Sequence, residues 1–93
     1  MQDTPLRHQS DEHDYHAGFS LVMRFAELAK MRGWSLTQRQ LVYEIMQRER
    51  AAQIREKSSL PIIGPSIHSA AWNRGQADAL RALLRSQRND ANL

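Results

Sequence analysis

From Tyr15 onward, apolar residues recur three or four positions apart: Phe19, Val22, Phe25, Ala26 and Ala29, with Leu21 and Leu28 widening the stripe. Ser20, Arg24 and Glu27 fall on the opposite side. That period puts one apolar face on a helix. The helix predicted here starts at a cap, Ser10 or Asp11, and ends near Arg32. Asp11, Glu12 and Asp14 sit in its first turn, where the helix dipole favours negative charge. Residues 1–9 are polar, include Pro5, and are predicted to fray. A second helix is predicted after Thr37, with Leu41, Val42, Ile45 and Met46 as its buried face. Its second half, Gln47 to Lys57, favours helix but is mostly polar, so it is expected to project past the bundle or meet a partner. A third helix is predicted from near Ser66 to about Gln87. Ala71, Gly75 and Ala79 form a ridge of small residues along it, spaced by four, that would admit helix one or two closely.

The connections are equally legible. Gly33 is a natural stop for the first helix. Thr37 can cap the second, Gln40 can close a capping box, and Leu36 and Leu41 stand where a hydrophobic staple would form. So short a turn predicts that the first two helices are near neighbours. Ser58 to Pro65 holds two prolines and a glycine, which exclude a regular element. Leu60, Ile62 and Ile63 within it either fold back over one end of the core or form a docking strip. Trp34, beside the turn, is expected in the core; Trp72 is open.

Composition narrows the class. Ninety-three residues suffice for one domain. With no cysteine, disulfides and thiolate metal sites are excluded. No apolar run approaches the roughly 20 residues that span a bilayer, and no signal-peptide core opens the chain, so a soluble, cytoplasmic protein is expected. The formal charge of +3 is uneven: residues 1–16 net −3 and the rest +6. Eleven of the thirteen cations are arginine, the residue suited to phosphates and carboxylates.

Three constellations could carry chemistry. His13 and His16 lie one helical turn apart among Asp11, Glu12 and Asp14, with His8 upstream and His68 distant. Such a pair could hold a divalent cation as part of a metal-dependent sensor or enzyme, but nothing completes its coordination sphere, so no metal or cofactor is assigned. Catalysis has no phosphate loop, nucleophile elbow or zinc-protease motif behind it, and no enzymatic activity is expected. Glu49 falls towards the buried side of helix two, where an ion pair with arginine is the default. The basic signal is broader. Arg74, Arg81, Arg85 and Arg88 cluster on one side of the last helix with Asp78 at the edge, and helix two adds Arg48, Arg50, Arg55 and Lys57 among Glu44, Glu49 and Glu56. Such a face can track a phosphate backbone or an acidic partner; alternatively it is a solvated face of internal ion pairs.

Gly33-Trp34-Ser35-Leu36-Thr37-Gln38 resembles the opening of a Cro/repressor-type domain, but helix two runs on where a recognition helix should follow. Phe25-x-x-Leu28 followed by Gly33-x-x-Leu36-Thr37-x-x-Gln40 resembles a helical hairpin of small phage and mobile-element accessory proteins, over roughly residues 19–46. Ala71 to Leu80 is similar in character to helices of such proteins. The resemblance implies association with DNA-handling machinery and no catalytic residues.

Together these features predict an all-α, three-helix domain: a helical hairpin plus a third packed helix. It would span residues 10–88, between a flexible segment 1–9 and a tail 89–93. The expected function is a non-enzymatic binding module that modulates a nucleic-acid-handling complex, of the phage-type accessory or anti-defence kind. Its candidate basic face is Arg74, Arg81, Arg85, Arg88, Arg48 and Arg55, and its candidate docking strip is Leu60, Ile62 and Ile63. The partner is a protein or nucleoprotein complex, with direct DNA or RNA binding as the alternative and a homodimer compatible with either.

Overall fold

The computed structural model describes residues 3–57 and 69–91, which form three helices: α1 (Asp3–Met31), α2 (Gln38–Lys57) and α3 (Ala70–Ala91). No strand occurs among the described residues. The all-α three-helix architecture is therefore as the sequence pattern predicts. The ends differ. α1 starts at Asp3, ahead of the expected cap at Ser10 or Asp11, and α3 runs on to Ala91.

The turn between α1 and α2 is built by local capping. Gly33 takes a φ of 74°, the left-handed conformation that glycine reaches without Cβ strain. It thereby ends α1 in a Schellman arrangement, with the Trp34 amide donating to the Ala29 carbonyl (2.8 Å) and the Gly33 amide to Lys30 (3.1 Å). The capping box then closes reciprocally: the Thr37 amide donates to Gln40 Oε1 (2.8 Å), and the Gln40 amide to Thr37 Oγ1 (3.1 Å). At the other end of the molecule Ser69 caps α3. Its Oγ accepts the Trp72 amide (3.1 Å) and donates to Asp14 Oδ2 (2.9 Å), which ties the start of α3 to α1.

α3 packs on both other helices, as expected of the third helix. α1 and α2, however, are not the near neighbours that the short turn predicts: their backbones make no close approach to each other. Capping fixes the direction in which the chain leaves a turn; it supplies no apolar surface to hold two helices together. The two flanks of α3 differ in chemistry. On one, Gly75 lies against the backbone of Tyr15 and Phe19, and Gly18 lies against the backbone of Trp72. A Cβ at either glycine would collide with a carbonyl oxygen of the facing helix. The small ridge predicted on α3 thus admits α1, and Gly18 is its unforeseen counterpart. On the other flank Ala77, Leu80 and Leu84 share a buried cluster with Leu41 and Ile45 of α2, joined at its edge by Val22 and Leu83. Gly75 and Ala77 are about 200° apart around the helix, so α1 and α2 lie on opposite sides of α3. α2 runs antiparallel to α3: Gln87 Nε2 donates to the Leu36 carbonyl (2.6 Å) at one end, and Arg74 pairs with Glu56 at the other.

This arrangement leaves apolar surface uncovered. Val42 and Met46, expected in the core with Leu41 and Ile45, are exposed because α2 has a single neighbour and buries a single stripe. Leu21, Phe25 and Leu28 are exposed on α1 for the same reason. Trp34, also expected inside, is 61% exposed: no helix lies over the turn.

Candidate functional site

Asp78 is the hub of a polar chain that crosses all three helices. The Tyr15 hydroxyl of α1 donates to Asp78 Oδ2 (2.5 Å), Arg81 donates to Asp78 Oδ1 (2.8 Å), and Arg81 also pairs with Glu49 of α2. The hydrogen bond to Asp78, then burial, then the carboxylate charge hold the Tyr15 hydroxyl above its usual pKa, against an opposing pull from Arg81. Tyr15 also stacks on Phe19, with ring centroids 6.4 Å apart. The predicted pairing of Glu49 with an arginine is present, and its partner is Arg81.

The predicted basic face divides in two. Arg74 pairs with Glu56, Arg81 with Glu49 and Asp78, and Arg48 with Glu44 (3.0 Å) while also donating through Nε to the buried Gln76 (3.0 Å). These three cations bind α3 to α2 or brace α2 itself. Arg55, Arg85 and Arg88 are exposed and have no carboxylate partner among the described residues. Leu60, Ile62 and Ile63 lie outside the described residues. His13 and His16 are exposed, and His16 meets the Tyr15 ring edge-on (5.6 Å). Among the described residues no group of three or more metal-ligating side chains comes together.

Between α2 and α3 lies an open hollow of about 230 Å³, lined by Glu49, Gln53, Arg74, Asp78 and Arg81 among others. It is smaller than the roughly 300–1,000 Å³ of ordinary ligand pockets. Its charged groups already face one another across the two helices, so it presents no converging set of free polar groups to a small molecule.

Two surfaces that periodicity had assigned to the core are open instead. One is the outer face of α2, where Arg39, Val42, Tyr43, Met46 and Arg50 are all exposed. Offsets of three, four, seven and eleven residues from Arg39 put all five on one side of the helix. The centre is apolar, the rim is cationic, and neither arginine has a carboxylate partner among the described residues. The other runs along α1 through Leu21, Phe25 and Leu28 and continues past Met31 to Trp34, over which the Arg32 guanidinium lies 5.8 Å from the ring centroid. The exposed Arg39, Tyr43 and Arg50 could have been singled out by their spacing around Met46. The signal was masked by the strength of the adjacent Leu41 and Ile45 pattern.

The chain matches no family model, and no curated protein or solved structure is detectably similar to it. Among the described residues no helix is long and apolar enough to cross a membrane.

Proposed function

We propose that this protein is a non-enzymatic binding module that docks on a partner through the outer face of α2. The observation that carries this is the exposure, on one side of one helix, of Val42, Tyr43 and Met46 between Arg39 and Arg50. An amphipathic helix presenting apolar anchors within a basic rim fits an apolar groove edged by acidic side chains. Tyr and Met are adaptable contact residues, and Tyr and Arg are the types that dominate binding energy in interfaces. The net charge of +6 over residues 17–93 supports a partner that handles nucleic acid, in keeping with the phage-type accessory proteins that the Phe25 to Gln40 hairpin resembles.

Direct nucleic-acid binding is favoured by the same face in one respect: an exposed Tyr43 flanked by arginines could stack on an unpaired base. Arg85, Arg88 and Arg55 would extend such a path, whereas Arg74, Arg81 and Arg48 are engaged inside the protein.

Two parallel binding assays test these alternatives. Tagged wild type and Val42→Glu/Met46→Glu are compared for stoichiometric capture of a protein from the native host, and for binding to fluorescent single- and double-stranded DNA and RNA across a salt series. Capture that the double variant abolishes, with no nucleic-acid binding at low salt, is the expected result. Binding to nucleic acid that weakens steeply with salt and fails in Arg85→Ala/Arg88→Ala would make the protein a direct binder. Capture unaffected by Val42→Glu/Met46→Glu would overturn the assignment of the α2 face.

A further inference from the structure

We propose that the exposed strip on α1, Leu21, Phe25, Leu28 and Met31, continued across the turn by Trp34 and Leu36, is a homodimer interface that a second copy of this chain occupies. The proposal rests on different residues from the α2 face, which Leu36 alone adjoins, beside Arg39 and Tyr43. Leu21, Phe25 and Leu28 are half exposed or more, Met31 is 82% and Trp34 61% exposed, and Leu36 is 37% exposed. At roughly 200 Å² for a large apolar residue, those six positions present about 700 Å². The strip exceeds the largest apolar patch on an ordinary monomer, about 300–600 Å², and approaches the roughly 800 Å² that one side of a standard specific interface needs.

Architecture points the same way. A helical domain ordinarily covers each apolar stripe with a second packed element. Here α3 lies between α1 and α2, whose backbones make no close approach to each other, so each outer helix has one closely packed neighbour. The apolar stripe of α1, from Leu28 round to Phe19, covers about half the circumference, more than a single neighbouring helix can bury. Tyr15, Gly18 and Val22 are turned to α3; Leu21, Phe25 and Leu28, spaced by four and three, flank them as a ready second seam.

The connecting segment 58–68 is too short to cover the far half of the strip, from Leu28 onward. Its ends are tied to Lys57 and Ser69, and Ser69 is hydrogen-bonded to Asp14. Eleven residues can reach out and back by at most about 20 Å. Leu28 lies about 21 Å along α1 from Asp14, Met31 about 26 Å, and Trp34 beyond that. A second copy meets the need without a further component, because a two-fold interface uses the same patch twice. Arg24 and Glu27 border the strip on one side, and an antiparallel copy brings such opposite charges across the seam.

Sedimentation equilibrium over about 1–100 μM, where a dimer of moderate affinity shows its mass-action dependence, tests the inference. The expected result is a species of twice the 10.7 kDa chain mass, reduced to a monomer by Phe25→Glu/Leu28→Glu. A wild-type monomer throughout the range, or a dimer that this double variant leaves intact, would overturn it. Should the double variant unfold, the cysteine-free chain offers a second probe. The thiol of Leu28→Cys should react with maleimide more slowly as protein concentration rises, while that of Gln53→Cys on α2 keeps a constant rate. A concentration-independent rate at both positions also overturns the dimer. Neither result bears on capture through Val42 and Met46, so failure of one assignment is distinguishable from failure of the other.

Discussion

Along one flank of α3, Gly75 and Gly18 let two helix backbones touch; along the other, Leu80 and Leu84 join Leu41 and Ile45, and arginines reach across to glutamates. Both flanks hold α3, but they resist different insults. The α1 seam is steric: its closeness depends on two missing Cβ atoms. The α2 seam is volumetric and ionic: it depends on leucine side chains that fill space and on half-exposed ion pairs at its edge. Surface pairs of that kind contribute little each, typically under about 1 kcal/mol, so the leucines carry most of the α2 seam. The same difference explains the exposed surface. A seam made from glycine buries backbone and little side chain, and it leaves the large residues of α1 to find cover elsewhere.

Removing three carbons should damage the leucine flank most. Leu41 is 1% exposed, and Leu41→Ala should cost about 3 kcal/mol, read from urea unfolding followed by circular dichroism at fixed protein concentration. A loss under about 1 kcal/mol would mean that the cluster collapses around the gap. Adding one carbon should break the glycine flank. In Gly75→Ala the new methyl meets the Tyr15 carbonyl, and the helices must part. The expected net loss is about 2 kcal/mol, despite a helix-propensity gain of about 1 kcal/mol. If the substitution stabilises the protein instead, the close crossing of α1 and α3 does not exist in solution.

The smallest effect concerns the polar chain that joins the two flanks. Tyr15→Phe should cost about 1 kcal/mol at neutral pH through the lost hydrogen bond to Asp78. It also changes the alkaline limb. The Tyr15 pKa is raised in the folded protein, so its stabilising contribution is complete below the ordinary tyrosine value of about 10 and disappears as pH climbs through the folded value. Thermal melts from pH 8 to 11 should therefore converge for wild type and Tyr15→Phe. A constant difference across that range would show that the hydroxyl remains protonated or unlinked to folding.

How far the chain was legible follows from the range of each interaction. Gly33, Thr37 and Gln40 act within a few residues, and the turn formed as their order predicts. Ala71, Gly75 and Ala79 announce a close approach without naming the helix that approaches. The basic stripe was legible as a row of cations on α3, but whether each is available depends on the acids of α2, so Arg74 and Arg81 are engaged while Arg85 and Arg88 have no such partner among the described residues. Periodicity overstated the core at Phe25, Val42 and Met46, as did the place beside the turn at Trp34: neither a period nor a turn reports that another element arrives to cover the residue.

What the amino-acid sequence by itself determined is the helical class, the three helical segments and the capped turn, because propensity, period and hydrogen bonds to near neighbours are local properties of the chain. Only the tertiary structure decided that α3 lies between the other two helices, which arginines are paired, and which apolar residues remain open. Those outcomes depend on distances between residues up to 63 positions apart, as Tyr15 and Asp78 are. Such distances are set by the competition among whole surfaces to be buried.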